Sequence, residues 1–209
     1  MLVTSKGMAA ITGTAQSFER ASPAEAWRSV GPAEPAVLGR TGMAWGLGFH
    51  HLASSGEPRK VEGDGRTPAG VYRIGKSFGF AASPRPGYIQ LAPDSVCVDD
   101  PASPAYNTIT SRNVVGGKVR GEDMRTVQRY RRGLVVDYPT DGKSRAGSCI
   151  FIHIQRSAAS PTNGCVALPE ARVAALQDFA EPGAVLAVLP QAGLRALRDC
   201  LPQGADGKR

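Results

Sequence analysis

Apolar and polar residues alternate over several short stretches of the chain, which is the pattern of β-strands with one buried face. Strands are predicted for residues 2–4, 11–18, 36–38, 71–74, 134–138, 149–154 and 184–189. A hairpin loop or short helical turn is predicted for residues 22–25. Residues 81–107 are rich in Pro, Ser and Asp, so we expect a long excursion there with only short strands.

Two segments have apolar residues at helical spacing. The first is residues 122–132, in which Met124, Val127 and Tyr130 recur on one face. The second is residues 169–180, which begins with a proline and is followed by a Pro-Gly pair. The apolar residues on its predicted face are Val173, Leu176 and Phe179.

The composition agrees with short strands and many turns. Among 209 residues there are 25 Gly and 16 Pro, and aromatic residues make up only 6%. We therefore predict a mostly β fold with a few helices, of the α+β class. Residues 1–200 are expected to form a single domain, and residues 201–209 are expected to form a flexible tail.

The formal net charge is +7, and much of the excess lies near the first predicted helix. The basic residues there are Arg112, Lys118, Arg120, Arg125, Arg129, Arg131 and Arg132. A charged helix face in contact with solvent is the simpler interpretation, and a surface that attracts polyanions is the alternative. No nucleic-acid motif or interleaved aromatic residues accompany the charge, so we predict no nucleic-acid partner.

The cysteine pattern argues against a zinc ribbon or a thioredoxin-like motif, because no Cys-x-x-Cys pair is present. The four cysteines are Cys97, Cys149, Cys165 and Cys200. Cys97 and Cys149 are the candidate disulfide, since each borders a predicted strand, although spacing does not fix the connectivity. The histidines also lack metal-ligand spacing, and we predict no metal site and no cofactor.

The first residues lack the basic start and continuous apolar region of a secretory signal, so no signal peptide is visible. The chain also has no apolar run of the length that spans a bilayer. We therefore predict no membrane span.

The least ordinary stretch is residues 151–170, which combines a histidine with a downstream Gly-Cys pair. Alternation places Cys149, Phe151 and His153 on one face of the predicted strand. Gly164 allows a sharp turn before Cys165, and the N–H groups of both residues can converge on an oxyanion. Two interpretations stay open from these residues alone. The pair is either a thiol nucleophile held as a thiolate by an imidazole, or a buried histidine beside an inert cysteine.

Two motifs, taken together, favour the first interpretation. His153 is followed by Thr162-Asn163-Gly164-Cys165-Val166, and Thr67-Pro68-Ala69-Gly70-Val71-Tyr72 lies upstream. These motifs resemble the L,D-transpeptidase catalytic domain, the YkuD-like family of bacterial cell-wall enzymes, most clearly over residues 61–189. The resemblance implies a YkuD-like β-sandwich or barrel with a catalytic cysteine loop.

The resemblance also implies roles for individual residues. Cys165 is the expected nucleophile and His153 the expected base, with Gly164 in the oxyanion site and Thr162 orienting the histidine. Many members have histidine and arginine where this chain has Asn163 and Ala167, which marks a divergent subgroup. We expect Asn163, Arg156 and Tyr72 to bind substrate, with Arg156 replacing the missing arginine.

The implied function is cysteine acyl transfer on peptidoglycan stem peptides through a Cys165 thioester, as an L,D-transpeptidase or L,D-carboxypeptidase. The implied location is the periplasm or cell envelope. A carbapenem is also expected to acylate the thiol, as it does in resembling enzymes. The alternative is a catalytically silent cell-wall-binding module with the same fold, which the departures at Asn163 and Ala167 favour.

Overall fold

The computed structural model describes residues 1–180 and 182–202. The strands are β1 (Leu2–Ser5), β2 (Thr12–Glu19), β3 (Arg28–Val37), β4 (Met43–Trp45), β5 (Thr67–Gly79), β6 (Ile89–Gln90), β7 (Ser95–Val98), β8 (Ile109–Ser111), β9 (Gly121–Asp123), β10 (Arg132–Asp137), β11 (Phe151–Ile154), β12 (Val166–Leu168) and β13 (Val185–Pro190). The α-helices are α1 (Arg112–Val115), α2 (Glu170–Phe179) and α3 (Gln191–Leu194). Short 3₁₀ helices span His50–Leu52, Met124–Thr126, Gln128–Arg131 and Arg195–Leu197. The predicted mostly β fold with a few helices is confirmed.

The main sheet is a closed barrel. Its strands follow the order β10-β11-β12-β3-β2-β1-β13-β5-β4, and β5 also pairs with β10 to complete the ring. Alternate residues of these strands point inward and form the main core, which includes Leu38, Trp45, Leu134, Ile152 and Leu186. Burying an apolar side chain of this size stabilises the fold by about 1.5–3 kcal/mol.

A second, three-stranded sheet has the order β8-β7-β9. A separate apolar cluster includes residues from this sheet and from the barrel: Phe78, Leu91, Cys97, Met124, Tyr130, Phe151 and Cys165. The rings of Phe78, Tyr130 and Phe151 meet edge to face, with centroids 5.1–5.9 Å apart. Strand β11 therefore has one face in the barrel core and the other in this second cluster, as its alternation predicted.

The helix predicted for residues 122–132 is wrong. Glu122 instead pairs with Cys97 in the small sheet, and two 3₁₀ turns follow before β10 begins at Arg132. Met124, Val127 and Tyr130 recur at an interval of three residues, which is the repeat of a 3₁₀ helix. The apolar pattern thus identified the inward-facing positions but not the kind of helix.

The second helix prediction is confirmed, with α2 shorter by one residue at each end. Pro169 is the residue before the helix and not its first residue. Val173 and Leu176 are buried, whereas Phe179 is 38% exposed and lies outside the buried face. Leu201, which was assigned to the tail, is buried in the main core. Residues 203–209 of that predicted tail lie outside the described residues.

Candidate active site

His153 on β11 and Cys165, directly before the adjacent parallel strand β12, reach the same cavity. In the register of β11 and β12, His153 lies opposite Ala167, and Cys165 directly precedes β12. All three residues line a cavity of about 630 Å³. The structure therefore brings together the two residues that the sequence predicted as base and nucleophile.

The loop before Cys165 needs a glycine. Gly164 has φ +142°, a backbone conformation that L-residues rarely adopt, and a Cβ there would lie 3.1 Å from the Arg66 carbonyl oxygen. The Gly164 N–H donates to Thr162 Oγ1 at 3.1 Å. Because this bond already occupies the Gly164 N–H, its expected role as an oxyanion donor is corrected.

Two threonine hydroxyls hold the main chain at Cys165. Thr162 donates to the Cys165 carbonyl oxygen at 2.7 Å, and Thr67 donates to the same oxygen at 3.2 Å. Thr67 Oγ1 in turn accepts the Gly39 N–H at 2.8 Å. The Thr162 carbonyl accepts the Arg40 N–H, and His153 Nδ1 bonds the Ile154 carbonyl instead, so the hydrogen bonds of Thr162 position the cysteine loop and not the histidine.

His153 is oriented by its own strand. Its Nδ1 lies 2.8 Å from the Ile154 carbonyl oxygen, and a carbonyl only accepts, so we assign the proton to Nδ1 and the lone pair to Nε2. Burial lowers the pKa of His153 to about 4; the Ile154 bond opposes this shift and the Arg129 charge adds to it. The imidazole is therefore neutral at pH 7 and has a free basic nitrogen.

The thiol of Cys165 is buried and protonated at rest. It donates to the Cys149 carbonyl oxygen, with Sγ and O 3.5 Å apart. Burial, together with the charge of Glu122, raises the pKa of Cys165 to about 12, while the Phe151 backbone and the Tyr130 hydroxyl oppose the shift. The resting pair is therefore a neutral thiol and a neutral imidazole rather than a thiolate–imidazolium ion pair.

The predicted disulfide between Cys97 and Cys149 is confirmed, with their Cα atoms 6.1 Å apart. It joins β7 of the small sheet to the segment that enters β11. Cys149 has φ +53°, and its N–H donates to Asn107 Oδ1 at 2.9 Å. The disulfide thus anchors the residue whose carbonyl accepts the Cys165 thiol. Cys165 and Cys200 are free.

The three residues predicted to bind substrate lie in different places. Asn163 lines the cavity, and its Oδ1 accepts a hydrogen bond from Arg40 Nη1. Arg156 also lines the cavity and is exposed. Tyr72 does not: it is buried in the barrel core, and its hydroxyl donates to the Ala69 carbonyl oxygen at 2.9 Å. The substrate contact predicted for Tyr72 is therefore corrected.

One wall of the cavity, formed by Glu122, Arg129 and Tyr130, was not predicted from the sequence. Tyr130 packs edge-on against His153, with ring centroids 5.3 Å apart, and its hydroxyl donates to Glu122 Oε2 at 2.7 Å. Arg129 lines the cavity from the same 3₁₀ turn. The interval of three between Met124, Val127 and Tyr130 is the sequence signal for this wall. The same interval also fits the helix predicted for residues 122–132, whose charged face would contact solvent.

Within residues 1–180 and 182–202, no group of three or more His, Cys, Asp or Glu side chains is arranged to hold a metal ion. In the same part of the chain, no helix has the length and apolar character needed to cross a membrane.

The sequence model of the YkuD family, the L,D-transpeptidase catalytic domain, matches residues 33–188 of this chain. The chain belongs to this family. Comparisons with curated proteins and with solved structures gave no match. Members of the family are typically cysteine transpeptidases or peptidases that act on peptidoglycan outside the cytoplasm. The matched range contains both motifs and every cavity residue described above.

Proposed function

We propose that this protein is a cysteine acyltransferase that acts on peptidoglycan stem peptides through a thioester at Cys165. The observation that carries the proposal is the placement of His153 on β11 and of Cys165 directly before the neighbouring parallel strand β12, with both residues lining one cavity. Two threonine hydroxyls fix the Cys165 main chain there, as a nucleophile that must approach a carbonyl at a defined angle requires.

The first half-reaction forms the thioester. Sγ of Cys165 attacks the carbonyl between the L-centre of a meso-diaminopimelate or lysine residue and the following D-alanine, while the thiol proton passes to Nε2 of His153. The N–H of Cys165 donates to the resulting oxyanion. The C–N bond then breaks, and His153 returns the proton to the leaving D-alanine amine.

The second half-reaction releases the enzyme. An amine acceptor attacks the thioester to form a cross-link, or water attacks it to give a carboxylate. His153 removes the proton from the attacking group, and the Cys165 thiol reforms. These outcomes correspond to L,D-transpeptidase and L,D-carboxypeptidase activity, respectively.

The pKa values indicate when the proton moves. Since the pKa of Cys165 is raised to about 12 and that of His153 is lowered to about 4, a thiolate–imidazolium pair is unfavourable before substrate arrives. Proton transfer therefore accompanies attack on the carbonyl. General-base catalysis of this kind contributes typically 10²- to 10⁴-fold in rate.

We place this activity in the periplasm or cell envelope. The family is typically extracytoplasmic, and the Cys97–Cys149 disulfide supports the same assignment, because disulfides persist in oxidising compartments.

The test is release of D-alanine from a purified tetrapeptide stem, with and without a second stem peptide as acceptor. We expect release by the wild-type protein and loss of at least 10²-fold in Cys165→Ala and His153→Ala. A cross-linked product with acceptor indicates a transpeptidase, whereas a tripeptide alone indicates a carboxypeptidase. Equal rates in all three proteins would overturn the proposal.

A silent cell-wall-binding module is the second candidate, and the burial of the Cys165 thiol favours it. This candidate predicts no D-alanine release but retention on isolated peptidoglycan. It also predicts that Cys165→Ala binds peptidoglycan as the wild type does, so the two proposals separate in one set of measurements.

A further inference from the structure

Ala167 leaves one side of the candidate base without a cation. It lies opposite His153 in the β11–β12 register and lines the cavity with only a methyl group. Arg129 lines the same cavity from the 3₁₀ turn Gln128–Arg131, beside Tyr130, whose ring packs on His153.

Arg129 differs from the other cations of the cavity. Lys60 is buried and paired with Asp64, with Nζ and Oδ1 2.6 Å apart. Arg40 is exposed and donates to Asn163, and Arg156 is exposed. Arg129 is half-buried and lines the cavity together with both reacting groups, and its positive charge lowers the pKa of His153 and of Cys165.

The side chain of Arg129 is available to a ligand. Among the described residues, no ion pair or side-chain hydrogen bond engages its guanidinium. Glu122, the acid of the same wall, accepts the Tyr130 hydroxyl at 2.7 Å. A half-buried guanidinium without a partner gains most from a carboxylate, which it binds through two parallel hydrogen bonds.

We propose that Arg129 binds the terminal carboxylate of the leaving D-amino acid. The inference rests on the proposed function, in which His153 returns a proton to the leaving amine. In an α-amino acid, the carboxylate carbon is separated from that amine nitrogen by one carbon atom. A cation that lines the same cavity as His153, next in the chain to the Tyr130 ring that packs on it, is therefore placed to bind this carboxylate.

The test compares two tetrapeptide donors, one ending in D-alanine and the other in D-alaninamide. For the wild type, we expect amidation to lower kcat/KM by about tenfold or more, mainly through a higher KM. In Arg129→Gln, kcat/KM for the free-acid donor should fall by a similar factor, and the variant should no longer distinguish the two donors. Arg129→Lys should recover part of the preference. Arg125→Gln, which removes an equal charge from the neighbouring turn outside the cavity, should behave as the wild type.

An Arg129→Gln protein that keeps the full preference for the free acid would overturn the inference, as would a wild type indifferent to amidation. If the wild type turns over neither donor, the proposed function fails, and binding still tests Arg129. Calorimetric titration of both donors into Cys165→Ala, with and without Arg129→Gln, then decides. Tighter binding of the free acid that depends on Arg129 supports the inference, and equal affinities overturn it.

Discussion

The hydroxyl of Thr67 donates a hydrogen bond to the carbonyl oxygen of Cys165 at 3.2 Å, across 98 residues of chain. Thr67 begins the upstream Thr-Pro-x-Gly motif, and Cys165 ends the downstream Gly-Cys motif. The same hydroxyl accepts the Gly39 N–H at 2.8 Å. The two motifs that are separate in sequence therefore meet at the main chain of the nucleophile.

Replacing Thr67 with valine should affect both stability and acylation. The Gly39 N–H would lose its buried acceptor, which costs about 1–3 kcal/mol in the free energy of unfolding. The Cys165 carbonyl would keep only its bond from Thr162, so we expect slower acylation of the thiol. Urea denaturation and the acylation rate measure the two effects. Thr67→Ser keeps the hydroxyl and is the matched control; equal acylation rates in the valine and serine variants would contradict this account.

The site was predictable where chemistry and motif coincide in a short segment. The sequence alone singled out His153, Cys165 and the glycine turn at Gly164. Strand alternation also placed His153 and Phe151 on one face. The disulfide was a candidate because Cys97 and Cys149 each border a predicted strand. These features depend on local residue order, which a sequence displays directly.

The rest depends on contacts between distant segments. Glu122 pairs with Cys97 in the small sheet, and this pairing overrides the helical pattern of residues 122–132. The position of Arg129 beside the cavity follows from the 3₁₀ turns that replace that helix. Tyr72 belongs to a motif but faces the core, because alternation along β5 and the pairing with β13 decide its direction.

Acid should weaken the fold through His153. Its pKa is about 4 in the folded protein, against an ordinary value of 6.5. Between these values the unfolded chain binds a proton that the folded protein does not. The free energy of unfolding should therefore fall as the pH decreases from about 6.5 to about 4, by up to about 3 kcal/mol. Urea denaturation across this range measures the slope.

His153→Gln should flatten that slope, since it removes the titrating group. His51→Gln, at an exposed histidine, is the matched control and should keep the wild-type slope. If the slopes of all three proteins coincide, His153 is not the buried neutral histidine described here.

The protonation state of Cys165 gives a separate prediction at neutral pH. Because burial raises its pKa to about 12, alkylation by iodoacetamide at pH 7 should be slower at Cys165 than at the exposed Cys200. Mass mapping of both cysteines after timed quenching measures the two rates in one sample. Faster modification of Cys165 would indicate a resting thiolate and would contradict the neutral pair.

The disulfide should contribute strongly to stability. Cys97 and Cys149 are separated by 52 residues, and closing a loop of this length in the unfolded chain corresponds to about 4 kcal/mol in the chain-entropy description. The double variant Cys97→Ala/Cys149→Ala should lose an amount of this order in thermal or urea unfolding, whereas Cys200→Ala should lose little. A double variant as stable as the wild type would contradict the prediction.

If Cys165 is an activatable nucleophile in an acyl-accepting cavity, a carbapenem should acylate it, and intact-protein mass spectrometry after incubation detects the adduct. Wild type, Cys165→Ala and Cys200→Ala are run side by side under conditions that keep the free thiols reduced and the disulfide intact. We expect a single adduct on the wild type and on Cys200→Ala, and none on Cys165→Ala. The absence of an adduct on folded wild-type protein, or an adduct that persists in Cys165→Ala, would contradict this expectation.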